Sequence, residues 1–165
     1  MAGMDVTAAL LDSWDRQARI VAKVAELVTE SNKDVRPGTD SWPLFHHLAH
    51  LHRVRVFHMQ ELDPVRAASM PIALRNGWED PVEDLDAIRQ MLAESAVAVR
   101  ELTATAIAEE RMPCGDYENP ILFLQHQIWH EGWHVGIIIL GLRLAGEEPP
   151  EEWEDTQIWG EFRKF

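Results

Sequence analysis

Residues 119–146 read NPILFLQHQIWHEGWHVGIIILGLRLAG. The run opens on Asn119 and Pro120 and closes on Gly146. An Asn side chain can accept a backbone N–H that the first turn of a helix leaves unpaired. A Pro in that turn has no N–H to lose, and a Gly at the far end accepts the left-handed backbone that closes a helix. The spacing predicts a helix over 119–145. At about 100° per residue, Phe123, His126, His130, His134, Ile137, Gly141 and Leu144 fall on one stripe. The stripe is apolar at its ends and imidazole in its middle. A buried imidazole needs a partner for each ring nitrogen, and histidines at i and i+4 can hold one ion between them. His126 by itself reads as a satisfied core histidine or a group supporting the ligands.

Three further segments carry helical spacing, over about 5–30, 41–62 and 81–110. Ser41 is the expected cap of the second and Asp80 of the third, each followed by a Pro suited to a first turn. The connections between the helices are rich in Pro, Gly and Asp. No internal repeat and no alternating run of strand length stands out. Four long helices without a sheet predict an all-α chain, one four-helix-bundle domain over residues 1–165. The tail 147–165 adds Trp153, Trp159, Phe162 and Phe165, expected to pack on the bundle or on a partner subunit.

The second helix, SWPLFHHLAHLHRVRVFH, holds five of the eight histidines. Its apolar stripe runs through Leu44, Leu48, Leu51 and Leu62. His47 and His58 lie near that stripe and His50 lies on its flank. His46 and His52 point elsewhere, with solvent as their expected surroundings. Periodicity slightly favours His47 over His50 as the inward imidazole. His50 and His130 both fall near mid-helix, so they can meet at one level whichever way the helices run.

HEGWH at 130–134 matches the His-Glu-x-x-His pattern of zinc peptidases, a short and weak signal. The extended form fails, because Ile137 and Leu140 stand where it needs a glycine and a third histidine. Nothing in the chain reads as the strand that aligns a peptide. Peptidase activity is therefore not expected.

Composition narrows the rest. Of the 165 residues, 46% are hydrophobic, enough for a sizeable core. The 28 acids against 15 Lys and Arg give a formal charge of -13. Such a surface repels phosphate backbones and anionic lipid, so no nucleic-acid or membrane partner is expected. The one cysteine, Cys114, cannot form an internal disulfide and suits a reducing compartment. The start of the chain lacks a basic, signal-like segment, and VGIIILGL is too short to span a bilayer. The expected location is the cytoplasm.

These segments together resemble the DinB/YfiT-like superfamily, small bacterial four-helix bundles with a three-histidine metal site. The resemblance rests on Trp42 near the start of the second helix, the stretch His50-Leu51-His52-Arg53-Val54-Arg55, the late HEGWHVGIIILGLRLAG and the aromatic tail IWGEFR. It implies His50, eight residues after the tryptophan, as the ligand on the second helix, with His130 and His134 as the other two. Some members read HHxAD, and matching that to HHLAH selects His47 instead. Many relatives carry a polar or basic residue after the last histidine, where this chain has Val135. Three neutral imidazoles suit Zn²⁺ or Ni²⁺ and leave a position open for water or substrate. Glu131, next to His130, is a candidate general base, and Arg53 and Arg55 could meet an anionic substrate or form ordinary ion pairs. Trp129 and Trp133 flank the stripe and are expected mainly in core packing.

The resemblance implies a metal-dependent enzyme, either a hydrolase or a transferase using a low-molecular-weight thiol as co-substrate, acting on a small molecule. Relatives include thiol-dependent transferases and a mycothiol-dependent isomerase. The alternative is a non-catalytic, metal-stabilised bundle acting as a stress-response or binding protein. Family members are often dimers, so a homodimer is expected.

Overall fold

A computed structural model describes residues 3–163. Phe165, read above with the tail aromatics, lies outside the described residues. The chain is helical, with long helices α1 (Val6–Leu27), α2 (Leu44–Leu62), α4 (Leu85–Ala108) and α5 (Pro120–Leu144). Short helices α3 (Pro64–Ser69) and α6 (Glu151–Gln157) and a 3₁₀ turn at Trp159–Glu161 complete it. Among the described residues the only β-type pairing is two isolated bridges, Leu74 with Pro81 and Cys114 with Tyr117. α1 packs on α4 and α5, and α2 packs on the same two helices, which closes a four-helix bundle. No described helix is long and apolar enough to cross a membrane.

The caps follow local chemistry. Asn119 accepts from the backbone N–H groups of Ile121 and Leu122, as its position predicts. Gly146 takes φ +76° just past the end of α5. Two other expected caps move. α2 starts at Leu44 with Pro43 in the cap position, and Ser41 lies outside it. α4 starts at Leu85, capped by Asp84, whose Oδ1 accepts from the N–H groups of Asp86 and Ala87. Asp80 instead occupies a left-handed turn at φ +56°. Pro81 and Val82 are drawn into an extended bridge along Ala73 and Leu74, which delays the helix.

Two apolar clusters fill the bundle. One gathers Ile20, Val24, Leu48, Leu51, Ile88, Ile138 and Leu142. The other gathers Trp14, Val56, Met59, Val99, Leu102, Phe123 and Leu124. Between their levels each long helix contributes buried polar groups: Gln17, Arg55, Ser95, Gln127 and Glu131. The Arg55 guanidinium donates to Glu131 Oε1 at 2.6 Å through Nε. Its Nη1 donates to the Leu92 carbonyl and to Ser95 Oγ, and its Cζ sits 5.1 Å from the Trp14 ring centroid. The tail lies across this frame. Trp153 and Ile158 pack against the first cluster, and Glu161 pairs with Arg19 of α1. Trp159 and Phe162 are exposed.

Candidate metal centre

α2 and α5 run antiparallel, because His50 meets His130 while His58, farther along α2, meets His126, earlier on α5. Their facing sides form a seam lined with imidazoles. The ring centroids of His50 and His134 are 4.7 Å apart, those of His130 and His134 4.6 Å, and those of His50 and His130 5.2 Å. His50, His130 and His134 each offer a nitrogen within 4.8 Å of the others, a group that could hold a metal ion. Trp42 and Trp78 wall the seam, with centroids 4.9 Å and 5.5 Å from that of His50. Trp42 also stacks on His46 at 4.5 Å.

Burial keeps the three imidazoles of this group neutral. Burial, then the proximity of His130 and His47, pushes His50 down to about 3. Burial and the neighbouring histidines push His134 down to about 3 as well. His130 is pushed down to about 4 by burial and by His126, His58 and Arg55. Neutral imidazoles keep a lone pair for a Lewis acid. The spacing fits one: Nε2 of His50 and Nε2 of His130 are 3.2 Å apart. Two nitrogens bound to one tetrahedral ion at about 2.0–2.1 Å stand about 3.3 Å from each other. An all-nitrogen donor set suits Zn²⁺ or Ni²⁺.

His47 is in the same seam. Its Nδ1 lies 2.9 Å from Nδ1 of His134, and its Nε2 lies 3.4 Å from Ser41 Oγ. With a proton on Nδ1, His134 donates to His47 and keeps Nε2 unprotonated. That is the support an imidazole ligand commonly receives through its second nitrogen.

Other expectations sort differently. The Glu131 carboxylate is buried and committed to Arg55, and it does not join the imidazole group. A carboxylate held in that ion pair is poorly placed to take a proton at the cluster. Arg55 has the same partner and is buried, so it is not open to an anionic substrate, whereas Arg53 lies over Trp78 at 4.8 Å. His46 and His52, expected in solvent, are buried. The connection at 70–82 folds over the outer side of α2, placing the Trp78 carbonyl on His46 and the Pro71 carbonyl on His52. Trp129 and Trp133, expected in the core, are 63% and 58% exposed. Cys114 is a loop thiol, yet fully buried, and burial raises its pKa.

The sequence reading passed over Tyr117. Its hydroxyl lies 2.6 Å from Nδ1 of His126 and 3.3 Å from Nδ1 of His58. Tyr117 sits in the loop before α5, bridged to Cys114 and with its ring against Phe123. A lone Tyr in a loop carries no periodicity that could have announced this.

Fold and seam together define a helical-bundle protein with a three-imidazole site able to hold a divalent metal. A family model for the DinB family matches residues 4–159, and the chain belongs to that family. No match is found among curated proteins or among solved structures.

Proposed function

We propose that this chain is a metal-dependent enzyme that uses His50, His130 and His134 to hold one divalent ion, Zn²⁺ or Ni²⁺, and that it transfers a low-molecular-weight thiol to a small electrophilic substrate. The observation that carries the reading is the convergence of three neutral imidazoles from only two helices, which leaves one side of the group without a protein ligand. A divalent ion bound there would acidify a thiol or a water at its open position. The fate of Glu131 favours the thiol over the water. Hydrolysis calls for a base beside the attacking water, and the one nearby carboxylate considered for that role is paired with Arg55. A thiol, whose ordinary pKa is far closer to neutrality than that of water, needs no such base. The residues of the chain supply the rest: His47 orients His134, while Trp42 and Trp78 shelter the His50 side of the seam. Val135, where many relatives are polar, is buried and adds no group to a substrate.

The cytoplasm, with its reduced thiol pool, is the proposed compartment, and a second copy of the chain is the proposed partner. The test pairs metal content with thiol chemistry. Untagged protein should carry about one strongly held equivalent of metal, measured by plasma mass spectrometry. It should consume free thiol in the presence of an electrophile, and His50→Ala should abolish both. Metal that raises the melting temperature without any thiol or ester turnover would leave a metal-stabilised bundle that is not an enzyme.

A further inference from the structure

The seam does not end at His130. One turn along α5 lies His126, and opposite it on α2 lies His58, with ring centroids 5.5 Å apart. The Tyr117 hydroxyl stands between them. We infer that His58, Tyr117 and His126 form a second binding site for a divalent transition-metal ion, separate from the three-histidine group.

Four observations support it. Three donor atoms come from three different segments (α2, the loop before α5, and α5 itself), so the chain converges there rather than merely passing by. The Tyr117 oxygen stands 3.3 Å from His58 Nδ1, the spacing of about 3.3 Å between ligands of one tetrahedral ion, and 2.6 Å from His126 Nδ1, a hydrogen bond that would lengthen as an ion entered. The cluster is reachable: His126 is exposed, while His58 and Tyr117 are half-buried. The electrostatics also suit a cation. Burial lowers the proton affinity of His58 while Asp116 raises it, and burial, then Asp116 and Glu61, raise that of Tyr117, so both carboxylates act on the cluster. Glu61 is packed tightly on the same loop, since a Cβ added to Gly115 would come within 2.7 Å of its Oε2. Carboxylates that act on the cluster offset part of the charge of a bound dication. The two sites are neighbours but not one cluster. The His126 and His130 ring centroids are 6.2 Å apart, wider than any pair within the first group, and no fourth residue joins that group.

Phenol and two imidazoles favour a borderline ion of the zinc, cobalt or nickel class over calcium or magnesium, which take oxygen ligands. If Tyr117 binds as phenolate, its proton leaves to solvent as the ion arrives. Binding should then release more protons from the wild type than from Tyr117→Phe.

The test is stoichiometry on the whole protein. Metal-free chain is dialysed against Zn²⁺, and bound metal is counted by plasma mass spectrometry. The wild type should saturate at two equivalents. His58→Ala, Tyr117→Phe and His126→Ala should each saturate at one, with circular dichroism unchanged. His134→Ala should also saturate at one, by losing the other ion, and His126→Ala combined with His134→Ala should bind none. Tyr117→Phe removes one oxygen and keeps the ring packed against Phe123, so it guards against loss through unfolding. A wild type that saturates at one equivalent, lost in His134→Ala and kept in His126→Ala, overturns the inference. So does any of the three single variants at the second site that still takes two. Failure of the three-histidine reading would show separately, as bound metal that His134→Ala does not reduce.

Discussion

His47 and His50 are three residues apart on one helix and meet the same partner helix, yet they stand in different relations to it. His50 presents Nε2 to His130, whereas His47 presents Nδ1 to His134. In the proposed metal site a truncation in the first role would remove a donor atom, and in the second the group that orients one. His50→Ala or His134→Ala should therefore lose the tightly held metal. His47→Ala should keep it with affinity weakened about 10- to 100-fold, the usual cost of losing such a supporting contact. Competition with a chromophoric chelator reads both. The same residues set a pH response in the metal-free chain. Their folded pKa values, about 3 for His50 and His134 and about 4 for His130, lie below the unfolded value of about 6.5. Between those limits the unfolded chain binds more protons than the folded one, so stability rises with pH across the window. It is complete above about pH 6.5 and is lost as pH falls toward the folded values. Melting temperatures of metal-free protein should drop from pH 7 to pH 4. The drop should shrink when His134 is replaced by Phe. An unchanged slope in that variant would show that other groups govern the acid response.

At the level of elements, the long helices were legible because each writes its own face and its own ends. Asn119, Pro120 and Gly146 mark α5 with three independent signals, and the structure keeps all three. What a helix cannot write is which neighbour covers its outer side. His46 and His52 read as solvated because the segment that buries them, 70–82, has no periodicity that places it on α2. The displaced start of α4 has the same origin, since Asp80 and Asp84 are equally good caps until the Leu74–Pro81 bridge takes up the chain between them. The candidate site was legible as a row of imidazoles, while the choice between His50 and His47 needed the resemblance. The role of Glu131 was hidden, since its sequence neighbour is His130 but its partner, Arg55, is 76 residues away. That pair ties α2 to α5 beside the three-histidine group. Both side chains are 1% exposed, so removing one partner strands a buried charge. Arg55→Ala or Glu131→Ala should cost about 3–5 kcal/mol, measured by urea unfolding. Arg55→Met combined with Glu131→Leu should recover most of that loss, because the desolvated charges leave together. If the double variant is no more stable than the singles, the pair contributes by more than mutual neutralisation.

For the whole molecule, the distribution of charge bears on the second copy proposed above. The chain carries 28 acids, yet residues 120–142 hold a single carboxylate, Glu131, and it is buried. The exposed side of α5 is therefore free of negative charge on a protein of formal charge -13. It is apolar instead: Leu122, Trp129, Trp133, Leu140 and Leu144 are all exposed, at the three-and-four spacing of a helix seam. The Trp129 and Trp133 rings lean together at 5.4 Å. A Cβ on Gly132 or Gly136 would touch nothing, so a partner helix can approach closely there. Elsewhere two acidic copies would repel each other, and here they would have apolar surface to bury. An isologous contact needs one patch to serve on both sides, and a stripe centred near Trp133, with leucines toward both ends, can pair with itself antiparallel. Sedimentation should show a dimer that Trp133→Lys converts to monomer, with the helical content unchanged and the metal still bound. Added salt should strengthen the wild-type dimer by screening the repulsion between two acidic bodies. A wild-type chain that sediments as a monomer at all salt concentrations would leave the α5 face without this partner. A dimer that survives Trp133→Lys would move the contact to another surface, with the exposed Trp159 and Phe162 of the tail next in line.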